Sequence, residues 1–466
     1  MATSLIAKPQ PIAPAYNPLK FIYNSTNVNN DGFRYIFDIY EAGTATKIAE
    51  YRLLPNLSGY GEIDLSKLLQ NYVSFDFDPT DTNFDPTNCY YEYDVKVGEE
   101  YVAEVNWTAN LTDNGGFVKI TATHSFQVGD TVNVDGGVDN PSITGVWTVT
   151  AISTTVDFTI SAPWSFVDDA TGNGSVRYAD NRKSVTRDII TSTGNYVFNG
   201  AIPFKDYRTY VDDDYILDDS SAKFVTSLPT EFHITPSQDI WLNLMINSDN
   251  TGVLYFINDG GDILARQVNE TNLLAMHQVA GDLSALSVIS GTAPLVKTDT
   301  QYYDVYYSPS AVGTKHSVTY RFYIDNRCKI NDYEILFMDR MGSLGSFSFQ
   351  LRDKLTGTVK KEVYNQDIQG SVVSSEWTYD SYERGQRAVY SSIEEIYELN
   401  TNWMTEDMAS YFTELVSSPN TWIKIDGTYY GCVVTDTGYE KERGKNRNLI
   451  RKTLRVKLSV QDRVNG

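Results

Sequence analysis

The 466-residue sequence predicts a mainly β protein: tandem β-sandwich domains, an inserted small β-barrel, and a mixed C-terminal domain with one amphipathic helix. Three observations carry that prediction. Runs of aromatic and β-branched residues, with 33 Tyr in the chain, alternate at period two and are broken by Asn, Asp, Gly, Ser and Thr. Between 105 and 174 the texture changes: Tyr gives way to Thr, Val and Gly. One stretch alone, 405–417, has a strong helical period.

In chain order, residues 1–16 contain Pro9, Pro11 and Pro14 and are expected as an extended arm, either frayed or docked on a neighbouring subunit. They hold no long apolar stretch, so no signal peptide is expected. Residues 17–104 and 175–222 are expected to make the first sandwich. In "GFRYIFDIYE", Phe33, Tyr35, Phe37 and Ile39 fall on one face, which predicts a strand buried mainly on one side. Asp64 or Ser66 is placed to cap a short helix carrying Leu65, Leu68 and Leu69.

The segment 105–174 reads as a separate small barrel. Val118 and Ile120, Val132 and Val134, Trp147 and Val149, and Phe158 and Ile160 mark four short strands with Gly/Asp turns. Since "SVRYADNRKSVTRDIITSTGNYVFNGAIPF" returns to the earlier Tyr-rich style, the barrel is expected as an insertion into a surface loop. Residues 209–221, "TYVDDDYILDDSS", are expected as an acidic linker.

A second sandwich is expected over 223–352, with hairpin turns at Asp249–Gly252 and Asp259–Gly261. Residues 353–466 are expected as an α+β domain. Met408, Tyr411, Phe412, Leu415 and Val416 line one face of its helix. Thr405 is the expected N-cap, Glu406 and Asp407 lie in the first turn, and Pro419 lies past the end. Two strands joined at Asp426-Gly427 follow, and then a basic final strand.

The net charge of −22 disfavours nucleic acid and anionic lipid as partners, and no apolar run approaches the length of a membrane span. The charge is uneven. From Glu440 to Gly466 nine Lys/Arg face three Asp/Glu, so this end carries +6 and the rest −28. In the last strand Arg455 and Lys457, with Arg451 ahead of them, alternate with Leu454, Val456 and Leu458. This face is either solvated or docks on the acidic body of another chain; Arg451, Arg455, Lys457, Lys441 and Arg443 are the candidate assembly residues. Contact with DNA inside a channel is the third option.

Motifs for catalysis are missing: there is no GxGxxG, P-loop, HExxH or GxSxG. His124, His233, His277 and His316 are isolated, and Cys89, Cys328 and Cys432 form no CxxC and no disulfide framework. Asp76, Asp78, Asp81 and Asp85 offer hard oxygen ligands, but not at EF-hand spacing, and ordinary turn chemistry explains them. No catalytic residue, cofactor or metal is therefore expected. A carboxylate pair for glycoside hydrolysis would be recognisable only in the fold. The seven Trp fit core packing better than a sugar platform.

Three stretches carry a resemblance. His124, Phe126, Gly129, Asp130, Val132, Gly145, Trp147, Val149, Phe158 and Ile160 resemble the pattern of small β-barrel modules in phage tail and virion proteins. Asp339, Arg340, Gly342, Phe347 and Phe349 resemble a strand–turn–strand pattern in structural proteins of tailed phages infecting Bacteroidetes-type bacteria. The stretch from "YELNTNWMTEDMASYF" to "LIRKTLRVKLS" is similar to the C-terminal part of the same kind of protein. The resemblance covers about half the chain and implies a structural virion subunit, a ring-forming tail, baseplate or neck (collar) protein. It implies other copies and other virion proteins as partners, and assembly in the host cytoplasm. The alternative is a receptor-binding or fibre protein recognising bacterial surface glycans.

Overall fold

The computed structural model describes residues 3–465 except 76–77, 79–82, 85–87, 109–110, 181, 247–250, 270–272, 310–311, 327–329, 331, 384, 437–449 and 461. It is mainly β, as the alternating runs predict. The chain divides into two compact units, Met1–Ile12 with Pro18–Ser66 and Glu92–Tyr196, and Ala13–Asn17 with Lys67–Tyr91 and Val197–Gly466.

In the first unit, strands Thr3–Ala7, Lys20–Ser25 and Gly61–Asp64 form a three-stranded sheet. Facing it, Arg34–Glu41 pairs with Lys47–Leu53 on one side and Tyr90–Val102 on the other. Phe21 meets Tyr93 edge-on at 6.2 Å between ring centroids, and Tyr23 meets Phe37 at 5.9 Å. These contacts form the sandwich core. The expectation that Arg34–Glu41 is buried mainly on one side is corrected. Tyr35, Phe37 and Ile39 are buried, but so are Ile36 and Asp38 on the other face. Asp38 is covered there by Lys47 at 2.8 Å and Arg187 at 2.6 Å. The first residues also differ from a free arm. Thr3–Ala7 is paired along Lys20–Ser25, and Ile12, Ala13 and Ala15 are buried, so the backbone is engaged by its own chain.

Residues 104–178 form a module with a core of their own. Seven strands run in the order Leu111–Asn114, Phe117–Thr121, Asp157–Pro163, Gly145–Thr154, Thr131–Asp135, Asn173–Tyr178 and Glu104–Thr108. Gly145–Thr154 bends: its first half pairs with Thr131–Asp135 and its second half with Asp157–Pro163, giving a half-barrel. Trp107, Val118, Ile120, Val132, Val134, Phe158 and Ile160 fill the inside. Gly174 is required opposite Trp107, because a Cβ there would lie 2.2 Å from the indole. The module leaves the sandwich after Tyr90–Val102 and returns on Lys183–Phe198, which are neighbours in one five-stranded sheet. A connection between neighbouring strands tolerates such an insertion.

The main core of the second unit draws on residues from Leu217 to Val456, with smaller clusters around Trp241 and Tyr255. A six-stranded sheet contains Glu231–Ile234, Tyr320–Ile324, Tyr302–Ser308, Thr251–Asn258, Ile263–Asn269 and Ser287–Ser290 in that order. An eight-stranded sheet runs Leu344–Phe349, Tyr333–Met338, Thr421–Ile425, Thr428–Val434, Thr453–Leu458, Gln386–Asn400 and Lys354–Asn365, with Asp462–Asn465 also on Gln386–Asn400. The expected boundary at 352/353 is therefore overturned: Tyr333–Met338 hydrogen-bonds to Thr421–Ile425 within one sheet. The acidic stretch 209–221 is no solvated linker either. Asp212 and Leu217 are buried, and Tyr210 stacks between Tyr207 and Tyr215 at 6.1 and 5.6 Å.

The helix Glu406–Ser417 is capped by Thr405, whose Oγ1 accepts the Met408 N–H at 3.3 Å. Its face of Met408, Tyr411, Phe412 and Leu415 packs on Phe232, Phe337, Phe347 and Phe349. The Asp426-Gly427 turn has φ of 48° and 81°, the left-handed pair a two-residue hairpin needs. The turn expected at Asp249 falls outside the described residues.

Candidate assembly surface

The basic strand Thr453–Leu458 lies between Thr428–Val434 and Gln386–Asn400. Period two sends Leu454 and Val456 into the core and Arg455 and Lys457 to the outer face. There the cations meet carboxylates of their own unit. Arg455 Nε lies 3.0 Å from Glu398, and its backbone N–H donates to Asp436 at 2.7 Å. Lys457 lies 3.0 Å from Glu394, which Lys360 also reaches at 2.8 Å. Lys360 first, and then Lys457, hold the Glu394 carboxyl down at about 2. The expected row of free positive charge is thus matched inside the sheet. Arg451 lies apart, its guanidinium 4.6 Å over the Trp403 ring. Lys441 and Arg443 fall outside the described residues.

Sequence reasoning missed the largest exposed feature. Lys354–Asn365 and Gln386–Asn400 form a hairpin paired from Lys354↔Glu398 to Asn365↔Gln386. Every residue of Lys354–Asn365 is exposed, so neither face of this strand packs on the core. Leu355 and Val359 lie opposite Tyr397 and Ile393, extending outward the face that carries buried Tyr397 and Leu399 at the base. At the far end Ser371–Val373 pairs with Glu376–Thr378 through Ser374 and Ser375, with φ of 56° and 69°. Trp377 and Tyr379, 57% and 55% exposed, lie 5.4 Å apart at this tip. Their exposure corrects the expectation that Trp serves the core, which does hold for Trp107 and Trp241.

Two buried acids were candidates for chemistry. Asp239 and Glu334 are brought together, with the Asp239 N–H donating to Glu334 at 2.8 Å. Lys424 pairs with both, Tyr429 donates to Asp239 at 2.5 Å, and Gln278 donates to it at 2.9 Å. Burial pushes the Glu334 carboxyl up to about 8; Asp239 adds to the shift and Lys424 opposes it. The donors come from four separate strands or loops, an arrangement that ties sheets together. Asp339 shapes the Asp-Arg-x-Gly turn: it accepts the Met341 and Ser343 N–H groups at 2.9 Å each and the Ser227 N–H at 2.8 Å. Gly342, at φ 79°, is required because a Cβ would lie 2.3 Å from the Asn199 carbonyl oxygen.

Among the described residues no group of three or more His, Cys, Asp or Glu is placed to hold a metal. Of the acidic loop, Asp76, Asp81 and Asp85 fall outside the described residues, as does Cys328. Cys89 and Cys432 are buried. His124 stacks on Phe126 inside the module, and His277 is fully buried. Among the described residues no helix is long and apolar enough to cross a membrane.

No family model matches the chain, and no curated protein matches it. Among solved structures it is similar to phage phi92 endosialidase, at 10% identity over 99% of this chain and 69% of that one, with a TM-score of 0.15. It is also similar to trypsin-activated alpha-2-macroglobulin from Escherichia coli, at 9% identity over 100% of this chain and 37% of that one, TM-score 0.14. Salmonella alpha-2-macroglobulin reacted with methylamine gives 8%, 100%, 34% and 0.15. Likenesses at these TM-scores carry no argument about what this chain does.

Proposed function

We propose that the chain is a structural component of a tailed-phage virion, a ring-forming tail, baseplate or neck protein that assembles with copies of itself and with other virion proteins. The observation that carries the reading is the hairpin Lys354–Asn365/Gln386–Asn400, exposed along its outer strand and ending in uncovered Trp377 and Tyr379. Contiguous exposed apolar surface on a sheet extension marks a place where another chain docks. The three stretches that resemble virion proteins support it, and their residues serve turns and core. The reading assigns no catalytic residue, because the buried acids Asp239, Glu334 and Asp339 have their donors within the fold. Mass spectrometry of purified particles tests it: the chain is expected at a fixed copy number per particle, and its absence from them would sink the proposal.

A second reading, a fibre protein that binds bacterial surface glycans, is favoured by the same Trp377–Tyr379 pair, since exposed rings stack on sugar faces. A glycan array decides it. Saturable binding lost in Trp377→Ser would establish the fibre, and a blank array would remove it.

A further inference from the structure

We infer that the hairpin tip of one copy docks on the Trp403–Arg451 patch of the next copy, a head-to-tail contact; the inference rests on the assembly role proposed above. Between the paired ends Asn365 and Gln386 the tip carries Asp367, Glu376, Asp380 and Glu383, four acids against the single cation Arg384. It also carries Val372, 73% exposed, paired across the strands with Trp377. The tip is therefore acidic and apolar together.

The patch that matches it is basic and apolar together. Trp403 is 47% exposed, and the Arg451 guanidinium lies over its ring at 4.6 Å. Unlike Arg455 and Lys457, Arg451 makes no ion pair among the described residues. An aromatic ring with a guanidinium stacked on it is the kind of surface that anchors protein contacts.

The two halves are too far apart to meet within one chain. Trp403 follows directly on the base of the hairpin at Asn400. The tip lies beyond the other end of a 12-residue strand, roughly 40 Å away at about 3.3 Å per residue. Ladder hydrogen bonds along the whole stem prevent it from folding back. A contact between tip and patch therefore joins two copies. Because tip and patch are different surfaces, the contact is heterologous and repeats into a ring or a filament.

The test is the mass of the full chain in solution, by sedimentation across a range of concentrations and salt. The wild type is expected to form species larger than a dimer that weaken as salt rises. Two tip variants, Trp377→Ser with Tyr379→Ser, and Glu376→Lys alone, and one patch variant, Arg451→Glu, are each expected to weaken association about tenfold or more. Circular dichroism should show all three folded, since these side chains are exposed. Mixing the Trp377→Ser/Tyr379→Ser variant with the patch variant restores one intact contact only, so dimers and nothing larger are expected. A tip or patch variant that assembles like the wild type overturns the inference, and so does a mixture that yields no dimer. A wild type that stays monomeric at every concentration overturns it too. Assembly that ignores the tip leaves the proposed virion role standing; absence of the chain from purified particles removes that role whatever the tip does.

Discussion

Replacing Lys424 by Met should cost the second unit stability, and the cost should grow with pH. Lys424 is the cation between two buried carboxylates, 3.4 Å from Glu334 and hydrogen-bonded to Asp239. Asp239 and Glu334 are 8% and 4% exposed, so neither can recover water when the ammonium is lost. Breaking a buried ion set by removing one partner costs about 3–5 kcal/mol when the remaining charges are both present. They are not both present at low pH. Burial raises Glu334 to about 8 in the folded protein, above its ordinary value of 4.5. A carboxyl with a raised folded pKa binds its proton more tightly folded than unfolded. Its contribution to stability is full below about pH 4.5 and is lost as pH rises through about 8. Without Lys424 the carboxyl rises further, so the loss extends and deepens. Urea denaturation followed by Trp fluorescence reads this directly, because Trp241 and Trp422 pack beside Tyr429 in the same cluster. The expected loss is smaller near about pH 5, where Glu334 keeps its proton but Asp239 still loses its partner, and reaches the scale of about 3–5 kcal/mol near about pH 9. Adding Glu334→Gln should recover part of it at the higher pH. A loss equal at both pH values would refute the reasoning, since lost packing alone does not titrate.

Thr405→Ala should destabilise the second unit by about 1 kcal/mol, because the Met408 N–H loses its acceptor; thermal melts check it, and Thr405→Asp should retain the stability. Trp107→Ala should cost the half-barrel module about 3–5 kcal/mol, and hydrogen exchange should rise across 104–178 while the core strands of the second unit keep their protection. Arg455→Gln with Lys457→Gln should leave association within about twofold of wild type, because neither cation is available to a partner, while amide exchange quickens along Gln386–Asn400. A loss of assembly as large as that expected for Arg451→Glu would return the basic strand to the interface.

What the sequence disclosed follows from how local each signal is. The helix at 406–417 was legible because its cap, first-turn acids and apolar period all lie within the segment. The module was legible because its core is built from its own residues, so its composition differs from the flanks. The boundary at 352/353 was misread because the pairing of Tyr333–Met338 with Thr421–Ile425 joins strands far apart in sequence, and no local pattern records that. Arg187 and Asp38 meet across 149 positions, so the burial of the second face of Arg34–Glu41 was equally hidden. The hairpin was missed for a different reason. A strand exposed on both faces has no reason to alternate apolar and polar residues cleanly, and the register shift at Glu362/Val363 breaks what period remains. Period two detects half-buried strands, and an arm that leaves the core is not one.

The basic strand and the hairpin, read separately in sequence, act as one device in the fold. A stem without packing on its outer strand has only its hydrogen-bond ladder to keep it straight. Lys360 and Lys457 grip Glu394 from two neighbouring strands, and Arg455 holds Glu398 in the same row. Each such surface pair contributes little alone. A row spanning three strands, however, adds side-chain ties to the ladder at the base of the stem. The charges of Arg455 and Lys457 are thereby matched on the outer face of the hairpin's base, where they do not also attract a partner. Arg451 makes no ion pair among the described residues, and it sits on the exposed ring of Trp403. The inferred contact thus divides the labour: Arg455 and Lys457 tie strands together, and Arg451 is left to receive the tip of the next copy.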